Sequence, residues 1–180
     1  MLSSDHGSPT RRRAGVRGFL FALAAAFALA ACTVQPLYGP TVGGGQVQAT
    51  LTRIDVAPVK DRVGQQVRNT VIFQMTGGRA IQDPLYRMTL SVSSKEIDLG
   101  ITNIDASPSY SVQVAATYTV VRIDTGEEIL RNPSRASAAY NRSNQEFANT
   151  RARIDAENRA AATVGNDIAT RVAAAIATGA

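Results

Sequence analysis

Three stretches of alternating apolar and polar residues, at 85–99, 110–123 and 128–140, constrain the fold of this 180-residue chain more than any other feature. In the first stretch, apolar side chains occupy every second position from Tyr86 to Val92. A period of two places alternate side chains on opposite faces of a strand. The pattern therefore predicts three long β-strands, each with one buried and one solvated face.

The segments between these strands indicate how the strands connect. Residues 124–127, with the sequence Asp-Thr-Gly-Glu, predict a tight hairpin turn between the second and third strands. Residues 100–109 predict a longer loop with a Ser-Pro-Ser turn signal. Residues 101–110 are also a candidate binding surface, with an ordinary connector as the alternative. Asn132-Pro133 interrupts the third strand and indicates a bulge or an edge position.

The residues that precede these strands predict a strand and a helix. Leu51–Val59 is rich in β-branched residues and predicts a strand. Apolar residues then recur at every fourth position from Val63 to Met75, which is typical of an amphipathic helix. Asp61 stands where an acidic residue favours a helix N-terminus, and Gly77 follows the last turn.

A second helix is predicted near the C-terminus. Ser143 and Glu146 have the spacing of a capping box, and the alanine-rich segment after them extends to Ala177. Its apolar positions are Phe147, Ile154, Ala161, Val164, Ile168, Val172 and Ile176. The order β-α-β-β-β-α predicts an α+β fold: a two-layer α/β sandwich with a mainly antiparallel or mixed sheet and two helices on one face. Tyr86, Tyr118 and Tyr140 are expected to fill its core rather than to stack on sugars.

Residues 1–31 have the organisation of a signal peptide. Arginines at 11–13 and 17 precede 13 apolar residues, from Phe19 to Ala31, which are too few to cross a hydrocarbon core of ~30 Å. The apolar run ends in Leu-Ala-Ala-Cys32, which resembles a bacterial lipobox. In such a box the cysteine sulfur receives a diacylglycerol, the leader is cut just before it, and the new amine is acylated. An ordinary secretory signal with a chance cysteine is the alternative.

The lipobox divides the chain into a leader at 1–31, an acylated N-terminus with a flexible linker at 32–49, and a single domain at 50–180. Proline and glycine residues between Pro36 and Gly45 indicate the linker. Thr33, rather than an aspartate, follows the cysteine and favours the outer membrane over retention in the inner one.

Two single-residue counts limit the chemistry of the mature domain. The only histidine, His6, leaves with the leader, and the only cysteine, Cys32, is acylated. Serine and cysteine triads and zinc sites built on histidine or cysteine are therefore excluded. The 15 basic and 13 acidic residues that remain give a net charge of +2, which indicates no nucleic-acid surface. We expect a protein without metal or cofactor that binds rather than catalyses, with a carboxylate-based hydrolase as the alternative.

Four features in this order and spacing resemble the outer-membrane lipopolysaccharide-assembly lipoprotein family LptE. Pro-Leu-Tyr-Gly at 36–39 closely follows the lipobox cysteine. Residues 54–69 join a strand to a helix that contains Val-Arg-Asn, similar to the family's Leu-Arg-Asn motif. The long alternating hairpin and the alanine-rich helix after Tyr140-Asn141 complete the likeness, which covers residues 32–180.

The resemblance implies a lipid-anchored plug inside a β-barrel lipopolysaccharide translocon (LptD-like). Such a protein is held at the periplasmic side of the outer membrane and helps to assemble the barrel. It supports the insertion of lipopolysaccharide into the outer leaflet and performs no catalysis. A lipoprotein adaptor or lipid-binding module of an inner-membrane lipid transporter is the alternative function.

Arginines supply the candidate contacts to lipopolysaccharide. They account for 13 of the 15 basic residues after the leader, and the planar guanidinium suits phosphate groups. Arg142, Arg151 and Arg153 cluster where the last strand turns into the final helix, so we predict that they contact lipopolysaccharide. The alternative is a solvated helix face with the ion pairs Arg151–Asp155 and Arg153–Glu157.

Overall fold

The computed structural model describes residues 44–81, 83–100 and 108–179 of the chain. The helices and strands are α1 (Gly44–Leu51), β1 (Ile54–Val56), α2 (Arg62–Thr76), β2 (Tyr86–Asp98), β3 (Ser109–Arg122), β4 (Glu128–Asn141) and α3 (Glu146–Ala177). The strands form one sheet in the order β1-β2-β3-β4, in which β1 runs parallel to β2 and the other pairs are antiparallel. The predicted α+β class is confirmed. The leader, Cys32 and most of the 101–110 loop lie outside the described residues.

The period-two alternation of the sequence sets the two faces of the sheet. The even-numbered residues of β2 and β3, and those of β4 from Leu130 onwards, share one face, because Met88 opposes Val120 and Val120 opposes Leu130. This inner face packs against the helices and includes fully buried Tyr118. The odd-numbered residues of these same stretches form the outer face, where Glu128 joins them opposite Val121, and none of these outer-face residues is buried. No described element therefore covers the outer face.

The predicted amphipathic helix is confirmed as α2, with both of its ends. Its apolar stripe from Val63 to Met75 is buried. The Asp61 carboxylate accepts a hydrogen bond from the Gly64 amide at 2.7 Å, which caps the N-terminus. Gly77 ends the helix with φ at 62°, a left-handed conformation that glycine adopts without steric cost.

The predictions of a flexible linker at 32–49 and of a first strand at Leu51–Val59 are wrong in part. The helix α1 occupies the end of the predicted linker and the first residue of the predicted strand. Val47 and Leu51 are both buried, one helical turn apart. The Gln48 amide donates to the Met75 carbonyl at 2.9 Å. These contacts with the body of the domain stabilise a short helix that a glycine-rich start disfavours by itself. Only the three residues of β1 remain of the predicted strand.

The predicted capping box at the start of α3 is wrong. Ser143 does not cap the helix; its amide instead donates to the Asn149 side chain at 2.7 Å. Phe147, which we expected in the apolar stripe, is 79% exposed. The reason is that buried positions of α3 begin only at Ala156, so the first turns of the helix extend beyond the core.

The edge interpretation of Asn132-Pro133 is confirmed, because β4 is an outer strand of the sheet. Proline lacks an amide proton and is compatible with an edge strand. The bulge lies closer to the hairpin, where Val120 opposes Leu130 but Val121 opposes Glu128. The predicted 124–127 turn is confirmed between β3 and β4.

The two long helices approach each other closely at Gly165. A Cβ atom at this position would lie 2.7 Å from the Thr70 Cβ and 3.1 Å from the Val67 carbonyl oxygen. Overpacking of this kind forces the backbone or the neighbouring side chains to shift.

We expect Gly165→Ala to lower the free energy of unfolding by roughly 1–3 kcal/mol, because the clash outweighs the gain in helix propensity. Urea denaturation measures the change. Gly45→Ala is the matched control, since a Cβ atom there meets nothing within 4 Å, and it should leave stability unchanged or slightly raised. Equal stability of the Gly165 variant and the wild type would contradict this view of the helix interface.

Candidate functional site

The predicted lipopolysaccharide-binding arginines lie at the end of the domain where β4 leads into α3. Arg142 directly follows β4, and Arg151 and Arg153 lie in the second and third turns of α3. Arg142 and Arg153 line one shallow cleft of about 240 Å³, whose other lining residues are Glu146, Asn149 and Thr150. The structure thus brings two of the three candidates together, while Arg151 lies outside this cleft.

Arg142 is held by an ion pair and an aromatic ring. Its Nη2 lies 2.6 Å from Glu96 Oε1. Its guanidinium carbon lies 4.0 Å from the centre of the Tyr110 ring, a cation–π contact. Tyr110 in turn stacks on Tyr140 with 5.8 Å between the ring centres. The Arg142 guanidinium therefore already has an anionic partner, and it links the ends of β2, β3 and β4.

Arg153 belongs to an ion-pair cluster that joins α2 to α3. Its Nη1 lies 2.6 Å from Glu157 Oε1, so the pair expected under the alternative interpretation is confirmed. Arg62 of α2 binds the other oxygen of Glu157, and its Nη1 donates to Asn158 at 2.8 Å. Glu157 is only 8% exposed. A buried carboxylate with two cationic partners fastens the helices together, which is a structural role.

Arg151 differs from the other two candidates. It is exposed and forms no ion pair within the described part of the chain. The expected pair with Asp155 is wrong, since Asp155 accepts instead from Arg159 Nε at 2.7 Å. Arg151 is therefore the candidate arginine whose guanidinium remains available to an anionic ligand.

A second polar cluster, which the sequence analysis missed, joins β4 to α3. Ser134 donates to Asp167 Oδ2 at 2.6 Å, and Arg171 Nε donates to Asp167 Oδ1 at 2.9 Å. Burial alone would raise the pKa of Asp167, but these two hydrogen bonds hold it below its ordinary value. A cleft of about 480 Å³ opens beside the cluster. The signal in the sequence was Ser134 itself, a polar residue at a position of β4 that faces the core and therefore needs a hydrogen-bond partner there.

The base beside Ser134 is the Asp167 carboxylate, which accepts the proton of the serine hydroxyl, and the chain's one histidine is His6. The hydrogen bonds from Ser134 and Arg171 lower the pKa of Asp167 and so weaken it as a base. Within residues 44–81, 83–100 and 108–179, no group of three or more histidine, cysteine or acidic side chains could hold a metal ion. The helices of this same part of the chain include none that is long and apolar enough to span a bilayer.

The tyrosines predicted to fill the core do so in two cases. Tyr118 is fully buried and Tyr140 is 7% exposed. Tyr86 is half-buried, and the Arg122 guanidinium carbon lies 5.5 Å from its ring centre. The hydroxyls of Tyr118 and Tyr140 have no hydrogen-bond partner in the described structure. Both rings therefore contribute through packing.

Comparisons with known proteins show which solved structures share this fold. No protein-family model matches the chain, and no curated protein sequence is similar to it. Solved structures do match. The chain shares its fold with lipoproteins. A protein of Caulobacter crescentus CB15 that is provisionally classed as a lipoprotein has 20% sequence identity and a TM-score of 0.66, over 75% of this chain and 98% of that one.

Two further solved structures have the same fold. The rare lipoprotein B of Shewanella oneidensis has 11% identity and a TM-score of 0.52, over 69% of this chain and 95% of that one. A minor lipoprotein of Acinetobacter baumannii has 9% identity and a TM-score of 0.50, over 67% of this chain and 88% of that one. At these identities the likeness concerns the fold alone.

Tyr118→Phe should leave stability at neutral pH unchanged or raise it by up to about 1 kcal/mol, because it removes a buried hydroxyl without a partner. Burial raises the pKa of Tyr118 above its ordinary value, although the nearby Arg171 and Asn132 side chains partly offset this effect. The unfolded phenol then loses its proton at a lower pH than the folded one, so wild-type stability should fall as the pH rises above about 10.

Urea unfolding at neutral and at alkaline pH measures both effects. The variant should lose less stability than the wild type across the alkaline range. A clear loss of stability for the variant at neutral pH would show instead that the hydroxyl has a partner.

Proposed function

We propose that this chain is an acylated outer-membrane lipoprotein that plugs a β-barrel lipopolysaccharide translocon and helps to assemble it. The observation that carries the proposal is a lipobox-like Cys32 placed ahead of a domain whose fold occurs in solved lipoproteins. The likeness of residues 32–180 to the LptE family supplies the barrel and the lipopolysaccharide. Acylation at Cys32 and the position in the outer membrane are parts of this same proposal.

The length of chain between the proposed anchor and the domain fits a tethered protein. Eleven residues separate Cys32 from α1, and an extended segment of this length reaches roughly 40 Å. Two or three acyl chains hold a protein far more firmly than one, at about 0.8 kcal/mol for each buried methylene. The domain could thus stay attached to the inner leaflet while it occupies a pore beside it.

The surface of the domain supports the role of a plug. The lumen of a large transmembrane barrel is polar, so its occupant needs a polar exterior. The outer face of the sheet meets this requirement, with polar side chains at most of its positions and serine and threonine as the commonest of them. We propose a binding and scaffolding role without catalysis, because the Asp167 carboxylate beside Ser134 is a weakened base and no histidine follows the proposed leader.

Two measurements on the native bacterium test this function. Mass spectrometry of the mature protein should find residue 32 as the N-terminus, with a diacylglyceryl group on its sulfur and an acyl chain on its amine. Affinity purification of the full chain should return an outer-membrane β-barrel protein. An unmodified thiol would overturn the anchor, and recovery of an inner-membrane ATPase complex would favour the transporter adaptor instead.

Arg151→Glu should weaken the capture of lipopolysaccharide by about tenfold, which corresponds to ~1.4 kcal/mol, without lowering the melting temperature. The reason is that Arg151 has no anionic partner in the described structure. Arg153→Glu should also reduce capture, but with a loss of stability, since it places two carboxylates together at Glu157.

Thr170→Glu is the matched control for Arg151→Glu, because it adds an acidic residue to the exposed side of α3 about five turns away. Binding of purified lipopolysaccharide to the full-length lipoprotein gives the readout. Equal capture by the wild type and the Arg151 variant would remove this arginine from the proposed site.

A further inference from the structure

The outer face of the sheet consists mainly of small uncharged residues. Examples from the middle of β2 and β3 are Thr89, Ser91, Ser93, Gln113, Thr117 and Thr119. None of these residues is buried. The face spans three strands about 4.8 Å apart and roughly 45 Å long, so its area is on the order of 600 Å². This area is close to the ~800 Å² that each partner contributes to a stable protein interface.

The helix side of the domain has a different character. Two ion pairs with the i,i+4 spacing stand on the exposed and half-exposed side of α3, at Arg159–Asp155 and Arg171–Asp167. Such pairs are typical of a solvated helix surface. Interface centres are instead depleted of charged residues. Of the two layers, the sheet is therefore the better candidate for a contact with another protein.

The outer face carries four cations, and two of them have an anionic partner. Arg87, near the β1 end, pairs with Asp55 at 3.3 Å, and Arg131 pairs with Glu128 at 2.8 Å. Lys95 and Arg135 form no ion pair within the described part of the chain.

The strand register places these two cations close together. Lys95 opposes Gln113 on β3, and Arg135 opposes Ala115, the next residue of β3 on the same face. The two cations thus occupy neighbouring rows on the two strands that flank β3, about 12 Å apart. The two acidic residues of this face, Asp55 and Glu128, stand toward its other end and already pair with Arg87 and Arg131.

We infer that the outer face of β2, β3 and β4 docks against the β-barrel partner, and that the partner presents carboxylates opposite Lys95 and Arg135. This inference rests on the function proposed above. A partner that covers the face removes both cations from water, and burial of a charge without a counterion is strongly unfavourable. The partner must therefore supply carboxylates opposite Lys95 and Arg135.

A second copy of the chain does not satisfy this requirement. In a two-fold dimer the same patch lies on both sides of the interface. Each copy would bring Lys95 and Arg135, while its outer-face carboxylates Asp55 and Glu128 already pair with Arg87 and Arg131, so like charges would meet. The uncharged hydroxyl rows also lack the large apolar side chains that hold two packed sheets together. The polar wall of a barrel lumen provides a better match.

Photo-crosslinking in the native bacterium tests the docking face. Benzoylphenylalanine replaces Thr117 at the centre of the outer face or, as the matched control, exposed Thr170 on α3 of the full lipoprotein. Irradiation should join the Thr117 variant to an outer-membrane β-barrel protein at least fivefold more efficiently than the control. Adducts from position 170 alone would place the barrel against the helix layer and overturn the inference.

Charge reversal tests the chemistry of the contact. The double variant Lys95→Glu with Arg135→Glu should reduce the co-purified barrel by about tenfold. Lys60→Glu, which changes an exposed lysine in the loop before α2, should leave the yield unchanged. Melting temperatures of the purified variants confirm folding. If the double variant unfolds, Lys95→Gln and Arg135→Gln made singly provide the comparison, each with a smaller loss expected.

The outcomes separate this inference from the function on which it rests. A barrel that co-purifies with the wild type and equally with the folded charge-reversed protein overturns the docking face and leaves the plug function in place. The absence of any barrel in the wild-type purification overturns both. Adducts of the Thr117 variant with a second copy of the chain, or with lipopolysaccharide, also refute the assignment.

Discussion

The burial of one face of the sheet is the constraint on which the rest of this structure depends. Met88 of β2, the even-numbered side chains of β3 from Val112 to Val120, and Ala138 and Tyr140 of β4 form a mainly apolar surface that water would penalise. The helices cover that surface, and Gly165 lets α2 and α3 pack close together. Glu157 of α3 then joins the two helices through Arg62 of α2, and Arg153 of α3 binds the other oxygen of the same carboxylate. The other contacts of the domain depend on this packing of the helices on one face of the sheet.

A sheet that is covered on one side leaves a large second side exposed. In a protein that acts alone, such a face needs only to be soluble, and hydroxyl side chains suffice for that. Here the face combines low charge, an area near that of a protein interface and two cations without partners in the described structure. The pairs Arg159–Asp155 and Arg171–Asp167 of α3 show how the same chain treats a surface that stays in water. The contrast between the two layers underlies the proposed orientation of the domain in a barrel.

The arginine-rich end illustrates how tertiary contacts assign different roles to similar residues. Arg142 and Arg153 neutralise carboxylates that strand and helix packing hold in place, so their charges serve the fold. Arg151 lies in the first turns of α3, which extend beyond the core, and it neutralises no carboxylate among the described residues. A ligand with phosphate groups would therefore meet one guanidinium without an ion pair, next to two that are already paired with carboxylates. The fold thus limits the number of arginines that can bind.

The sequence by itself determined the three long strands, the helix from Arg62 to Thr76 and the class of the fold. The reason is that apolar residues at every second position of a strand, or at every fourth position of a helix, show directly which face is buried. It also determined the absence of histidine chemistry after the leader. Only the tertiary structure decided that glycine-rich residues form α1 and that Asp155 pairs with Arg159 rather than Arg151. The Ser134–Asp167 hydrogen bond likewise joins residues 33 positions apart. These features depend on long-range packing and on competition among nearby charges, and a local pattern contains neither.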